Sequence, residues 1–173
     1  MEIKYRYSKK EDCNDILSLL SMCFGSKITS ETIENIENRY LLAYCDNKLI
    51  AMTGLSYDTY FDGAEIDWTC CHLDYRHRGI ISDMLSIVLK SAKTDVYCKC
   101  LRTYQKEYAN LHSIMIKYGF TCVKRNYKEF HISNDIICDI CPYKNDDMSC
   151  VCYEDLYVMW LKNKEYNYEN FND

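Results

Sequence analysis

A chain of 173 residues is long enough to bury one core without crosslinks, and a single domain spanning 1–161 is the expectation. The net charge of −5, from 26 acidic and 21 basic side chains, argues against nucleic acid as a partner and suits a cationic amine. No apolar stretch reaches transmembrane length, and Met1-Glu2-Ile3-Lys4 does not open a signal peptide, so a cytoplasmic location without a membrane partner is expected.

In chain order, Glu2–Tyr7 reads as a first strand. Cys13, Ile16, Leu17, Leu20, Cys23 and Phe24 recur on one helix face, which predicts an amphipathic helix over 10–24. Thr29 is a candidate cap for a short second helix, with Glu31 in its first turn. Tyr40–Cys45 and Leu49–Tyr57 are strand-like and flank Asp46-Asn47-Lys48, the pattern of a hairpin. Asp62-Gly63 marks a turn, and Ala64–Leu73 reads as a fourth strand. Ile80, Ile81, Met84, Leu85 and Val88 form the apolar stripe of a helix over Ile80–Ala92. Asp95–Leu101 is a fifth strand, Glu107–Tyr118 a helix, and Phe120–Ile132 and Tyr153–Trp160 the last strands. The tail 162–173, rich in Asn, Tyr and Glu, reads as flexible. A sheet of about seven strands with helices on both faces is an α/β architecture.

Between the fourth strand and its helix lies Cys71-His72-Leu73-Asp74-Tyr75-Arg76-His77-Arg78-Gly79-Ile80. A strand–turn–helix of this kind aims unpaired backbone N–H groups and the positive end of a helix dipole at one spot, which suits a phosphate or pyrophosphate. Arg76 and Arg78 bring charge for phosphate oxygens, and Gly79 admits a ligand close to the backbone.

The run Tyr75-Arg76-His77-Arg78-Gly79-Ile80-Ile81 resembles the pyrophosphate loop of the GNAT superfamily of acetyl-CoA-dependent N-acetyltransferases, Arg/Gln-x-x-Gly-x-Gly/Ala. Arg76 and Gly79 match it, and Ile81 stands where a second small residue is usual. Downstream, a helix ending in Gly119-Phe120 is similar to the family's later cofactor-side helix. The resemblance spans roughly residues 2–132. It implies a mixed sheet that splays between the fourth and fifth strands, with the pantetheine arm of acetyl-CoA bonded to the exposed strand edge. The cofactor-binding residues it implies are Cys71, His72 and Leu73 on that edge, then Arg76, His77, Arg78, Gly79, Ile80, Ile81 and Ser82 around the pyrophosphate.

Acetyl transfer needs a deprotonated amine, an attack on the thioester carbonyl, and, optionally, a proton for the departing thiolate. Strict strand alternation puts Glu65, Asp67 and Thr69 on one face, with Ile66, Trp68 and Cys70 on the other. Glu65 and Asp67 are then candidates for the base, for holding the substrate ammonium, or for a solvated strand face. Many members of the family carry a Tyr acid where this chain has Met115. Tyr118 is the nearby candidate, although its spacing with Leu111, Ile114 and Met115 equally fits a buried helix face. A rival route runs through Cys70 or Cys71 as nucleophile with His72 lowering the thiol pKa, but neighbours on a strand point to opposite faces.

Twelve cysteines fall into two populations. Cys13, Cys23, Cys45, Cys70, Cys71, Cys98, Cys100 and Cys122 sit in expected helices and strands, as small buried hydrophobes do. Cys138, Cys141, Cys150 and Cys152 crowd into one polar segment; the Cys138-x-x-Cys141 spacing is typical of a structural zinc site and Cys150-x-Cys152 is tighter than the usual second pair, with free thiols or a redox-labile pair as the alternatives.

Taken together, these features read as an N-acetyltransferase moving an acetyl group from acetyl-CoA to a primary amine of a small molecule or peptide, as monomer or homodimer. Two alternatives remain: a non-catalytic domain binding coenzyme A as a sensor or interaction module, and a zinc-stabilised interaction domain.

Overall fold

The structure is a computed structural model that describes residues 1–24, 28, 33, 35–57, 62–102, 111–129 and 153–161. After strand β1 (Lys4–Tyr7), a 3-10 turn at Lys10–Asp12 leads into helix α1 (Cys13–Phe24). Strands β2 (Tyr40–Cys45), β3 (Lys48–Ser56) and β4 (Ala64–Cys71) follow, then helix α2 (Ile80–Lys90) and strand β5 (Val96–Arg102). Helix α3 (His112–Lys117) and strands β6 (Thr121–Glu129) and β7 (Tyr153–Met159) complete the described elements.

The seven strands form one sheet in the order β1-β2-β3-β4-β5-β7-β6. Every neighbouring pair is antiparallel except β4 with β5. This is the mixed sheet that the resemblance implies. The β2–β3 hairpin closes on Asp46 and Asn47, both at positive φ, with Lys48 already paired to Cys45. Two left-handed residues in a two-residue loop match the right-handed twist of the strands they join, and Asn and Asp tolerate that conformation best after Gly.

Two helices cover opposite faces of the β1–β4 half. Ile16 and Leu20 of α1 pack with Tyr40, Leu42 and Met52. On the other side, Ile80, Met84 and Val88 of α2 pack with Leu41, Ala43 and Ala51. The alternation of Leu41, Leu42 and Ala43 between these two clusters is the period of a strand buried on both faces. Leu85 of α2 and Met115 of α3 extend the second face over β5 and β7, onto Val96, Cys98, Cys100 and Tyr157. The strand and helix cysteines behave as expected, as five buried and three half-buried free thiols among the described residues.

Several boundaries move. The fourth strand stops at Cys71, short of Leu73, because Leu73–Tyr75 turn into a 3-10 helix. The helix expected over Ile80–Ala92 ends at Lys90. The short helix at Thr29, the start of the helix at Glu107, the tail 162–173 and the four crowded cysteines Cys138, Cys141, Cys150 and Cys152 lie outside the described residues. Among the described residues, no three or more His, Cys, Asp or Glu side chains are grouped to hold a metal ion. No described helix is long and apolar enough to cross a membrane.

Candidate cofactor and acceptor site

Strands β4 and β5 pair only through Ala64 with Val96 and Glu65 with Tyr97. From there β5 keeps its ladder with β7 to its end, while β4 keeps only β3. The two strands therefore diverge, and a wedge-shaped gap opens in the sheet. The His72 N–H donates to the Ile50 carbonyl of β3 at 2.8 Å, so by alternation the N–H and C=O of Cys71 point the other way, into the gap. One of these groups is engaged, since Arg76 Nε donates to the Cys71 carbonyl at 3.1 Å.

At the mouth of the gap the chain turns through two left-handed residues, His77 at φ 62° and Gly79 at φ 80°. Gly79 caps α2, and its carbonyl accepts the first intrahelical bond, from the Asp83 N–H at 2.9 Å. The amides of Ile80, Ile81 and Ser82 precede that bond and present the helix's open donors. A Cβ at Gly79 would meet nothing within 4 Å, so the space before these amides is open. Arg78 donates to the Asp74 carbonyl at 3.0 Å and lies over the Tyr75 ring at 5.5 Å, at the exposed rim. Ile81 turns inward, against the buried clusters on both sides of the gap. Leu73 is 57% exposed and lies outside the strand edge where the resemblance put it.

The polar face of β4 carries charge of both signs. Glu65 pairs with Lys99 of β5 at 2.6 Å. Asp67 pairs with Arg39 at 2.6 Å and accepts from the Tyr40 hydroxyl at 3.3 Å, and Arg39 also donates to Ser56 at 3.3 Å. Neither cation was legible as a partner in the sequence, because Arg39 lies in the turn just before β2 and Lys99 on β5, and only the sheet order brings them in.

Strict alternation along β4 does not hold. The pairing with β3 shifts register between Met52 and Gly54, and Trp68 takes φ 37°. This β-bulge inserts one residue, so Ile66 packs on the α2 and α3 side while Trp68 and Cys70 pack on the α1 side. Thr69 turns with the opposite face, where its hydroxyl and that of buried Thr53 bond at 2.7 Å.

Tyr118 sits at the C-terminal cap of α3, half-buried against the α2 and α3 cluster, and its hydroxyl donates to the Ser82 carbonyl. Its hydroxyl lies 3.1 Å from Ser82 Oγ, and Lys117 Nζ donates to that same Oγ at 2.9 Å. Met115 is fully buried. The cysteine route finds little support. Burial pushes the Cys71 thiol up to about 11. The His72 ring is held by Lys48 at Nε2, 2.7 Å away, with the Asp74 carboxylate 3.7 Å from Nδ1.

No family model matches the sequence, and no curated protein matches it. Solved structures do. A GNAT-family acetyltransferase from Streptococcus pneumoniae superposes with a TM-score of 0.66 at 12% identity, over 92% of this chain and 100% of its own. Diaminobutyrate acetyltransferase from Paenibacillus lautus, in complex with its substrate L-2,4-diaminobutyric acid and coenzyme A, superposes at 0.64 with 11% identity, over 96% and 99%. N-acetylglutamate synthase from Neisseria gonorrhoeae, complexed with coenzyme A and N-acetyl-glutamate, superposes at 0.61 with 13% identity, over 94% of this chain. The present chain spans 36% of that synthase chain. At these identities the likeness establishes a shared fold.

Proposed function

We propose that this protein, a chain with the GNAT fold, is an N-acetyltransferase that moves an acetyl group from acetyl-CoA to a primary amine by direct attack. The observation that carries the reading is the junction of β4 with α2. There a sheet that opens after two paired residues ends, at its mouth, in a helix N-terminus behind left-handed His77 and Gly79. Such a mouth suits a pyrophosphate, with the amides of Ile80, Ile81 and Ser82 as donors and Arg76 and Arg78 as nearby charge. The edge of β4 at Cys71 would accept the pantetheine arm, His72 and Leu73 flanking it.

Acetyl-CoA would supply the activated thioester; the chain's own task is to hold the amine and move its proton. Glu65 and Asp67 share the polar face of β4 with Lys99 and Arg39. A carboxylate there would hold an ammonium and take its proton, directly or through a water. The neighbouring cations suit an acceptor that also carries a carboxylate, as does the diaminobutyric acid of the Paenibacillus lautus enzyme. Tyr118 is the remaining candidate for the acid.

A second reading, a coenzyme A-binding module without turnover, is favoured by one observation. The Tyr118 hydroxyl is committed to Ser82, and Met115 beside it cannot give up a proton. Calorimetric titration with acetyl-CoA, of the wild type and of the Arg76→Ala/Arg78→Ala variant, tests both. Binding that the variant weakens more than tenfold, with thiol release in the presence of a mixture of amines, is the expected result. Binding without thiol release leaves the second reading, and no binding overturns both. Unchanged turnover in Tyr118→Phe would remove Tyr118 from the mechanism.

A further inference from the structure

At the bulge, Thr53 of β3 stands opposite both Trp68 and Thr69 of β4, and the two threonine hydroxyls bond at 2.7 Å. Thr53 is fully buried, whereas Thr69 is half-buried. A hydroxyl has one proton to give, so two hydroxyls joined by one bond keep one proton over. Which partner keeps it decides what the pair can do. Among the described residues, the Thr53 hydroxyl has Thr69 as its hydrogen-bond partner and no other. Were Thr69 the donor, the Thr53 proton would be sealed in the core with nothing to receive it, which costs the desolvation of an unmade bond. Thr53 therefore donates inward to Thr69, and the Thr69 proton is the one left to point outward.

The bulge also decides where that proton is offered. Asp67, bonded to Tyr40, lies on the α1 face, and Thr69 lies on the α2 face with Cys71. Cys71 marks the mouth of the gap, and the join of Glu65 with Tyr97 closes its far end. Thr69 stands between them, about 7 Å along the strand from Cys71. A chain laid along the edge of β4 from the mouth passes Thr69 before the strands close. The buried groups of this face beyond it, Ile66, Leu85, Val96 and Cys98, are apolar or thiol, and hydrogen bonds are stronger in such surroundings.

We propose that Thr69 donates its hydroxyl proton to the carbonyl oxygen of the acetyl thioester, with Thr53 fixing the direction of that hydroxyl. The inference rests on the acetyl-CoA reading above and adds the side chain that meets the developing charge. As the amine lone pair forms the C–N bond, the carbonyl π pair moves onto oxygen, and the Thr69 bond strengthens there. The pair then returns, the C–S bond breaks with its electrons on sulfur, and the amine proton passes to Asp67 or Glu65. Donor and base thus work from opposite faces of one sheet.

Isotope-edited infrared spectroscopy reads this bond without turnover, using acetyl-CoA with carbon-13 at the acetyl carbonyl and the full-length protein. In the wild type and in Thr69→Ser the bound carbonyl band is expected below that of free acetyl-CoA. In Thr69→Val and Thr69→Ala it is expected to return to the free position. Thr53→Val is expected to broaden the band, since the Thr69 hydroxyl is no longer held, and Thr53→Ser to keep it narrow. In turnover, Thr69→Val is expected to lower kcat roughly a hundredfold with the KM for acetyl-CoA little changed. A band that Thr69→Val and Thr69→Ala leave unmoved, with acetyl-CoA still bound, overturns the assignment and leaves the acetyl-CoA reading standing. If the wild type binds no acetyl-CoA, that reading fails and this inference fails with it.

Discussion

Asp12 is buried at the start of α1 and accepts from both guanidinium nitrogens of Arg6 at 2.6 Å, from the Lys9 N–H at 2.8 Å and from the Tyr44 hydroxyl at 3.0 Å. The Arg6 bonds, aided by the others, lower its pKa to about 2 from an ordinary 3.8. A carboxylate depressed in the folded state adds stability that is complete above its unfolded pKa and is lost as pH falls through the folded one. The drop corresponds to about 2 kcal/mol, present above about pH 4 and gone near pH 2. Asp12→Asn is expected to lower stability by about that amount at neutral pH and to flatten the acid limb. Urea unfolding of both proteins between these pH values checks it, and parallel acid limbs would discard the assignment.

At the scale of elements, helices were the more legible parts of this chain and β4 the least. The stripe Ile80, Met84, Leu85 and Val88 is buried as its spacing predicts, because a helix period survives small shifts at either end. Strand alternation does not survive an insertion, and one extra residue at Trp68 turns everything beyond it to the other face. The loop and Gly79 were readable because a local turn sets their geometry. The pairs Glu65–Lys99 and Asp67–Arg39 were not, since each joins segments far apart in sequence. Opposite the bulge, Gly54 pairs with Asp67, and a Cβ there would meet the Arg39 carbonyl at 2.7 Å and Tyr40 Cδ1 at 2.8 Å. Gly54→Ala is therefore expected to cost about 2 kcal/mol, by pushing β3 away from the Arg39–Tyr40 corner that holds Asp67. A denaturant midpoint equal to that of the wild type would show that the corner yields freely.

At the scale of the whole molecule, the gap is a flaw in the sheet that a ligand would mend. Anything that binds only the folded state stabilises it, by about 2.7 kcal/mol at a concentration 100 times the dissociation constant. Coenzyme A at that excess is expected to raise the melting temperature by roughly 5–10 °C for a chain of this size. An unmoved midpoint at saturation would remove the gap as its site.

The same two-residue join between β4 and β5 also divides the chain in time. Everything that builds one side, β1 to β4 with α1 and α2, lies in residues 4–90, and everything that builds the other begins at Val96. During synthesis the first side, a run of hairpins between two helices, is complete before the second has emerged. Its partner then docks along a finished edge, held by Leu85 against Val96 and Cys98 more than by ladder bonds. The width of the cleft is thus set by how the later-made side packs on the earlier one across a join of two paired residues.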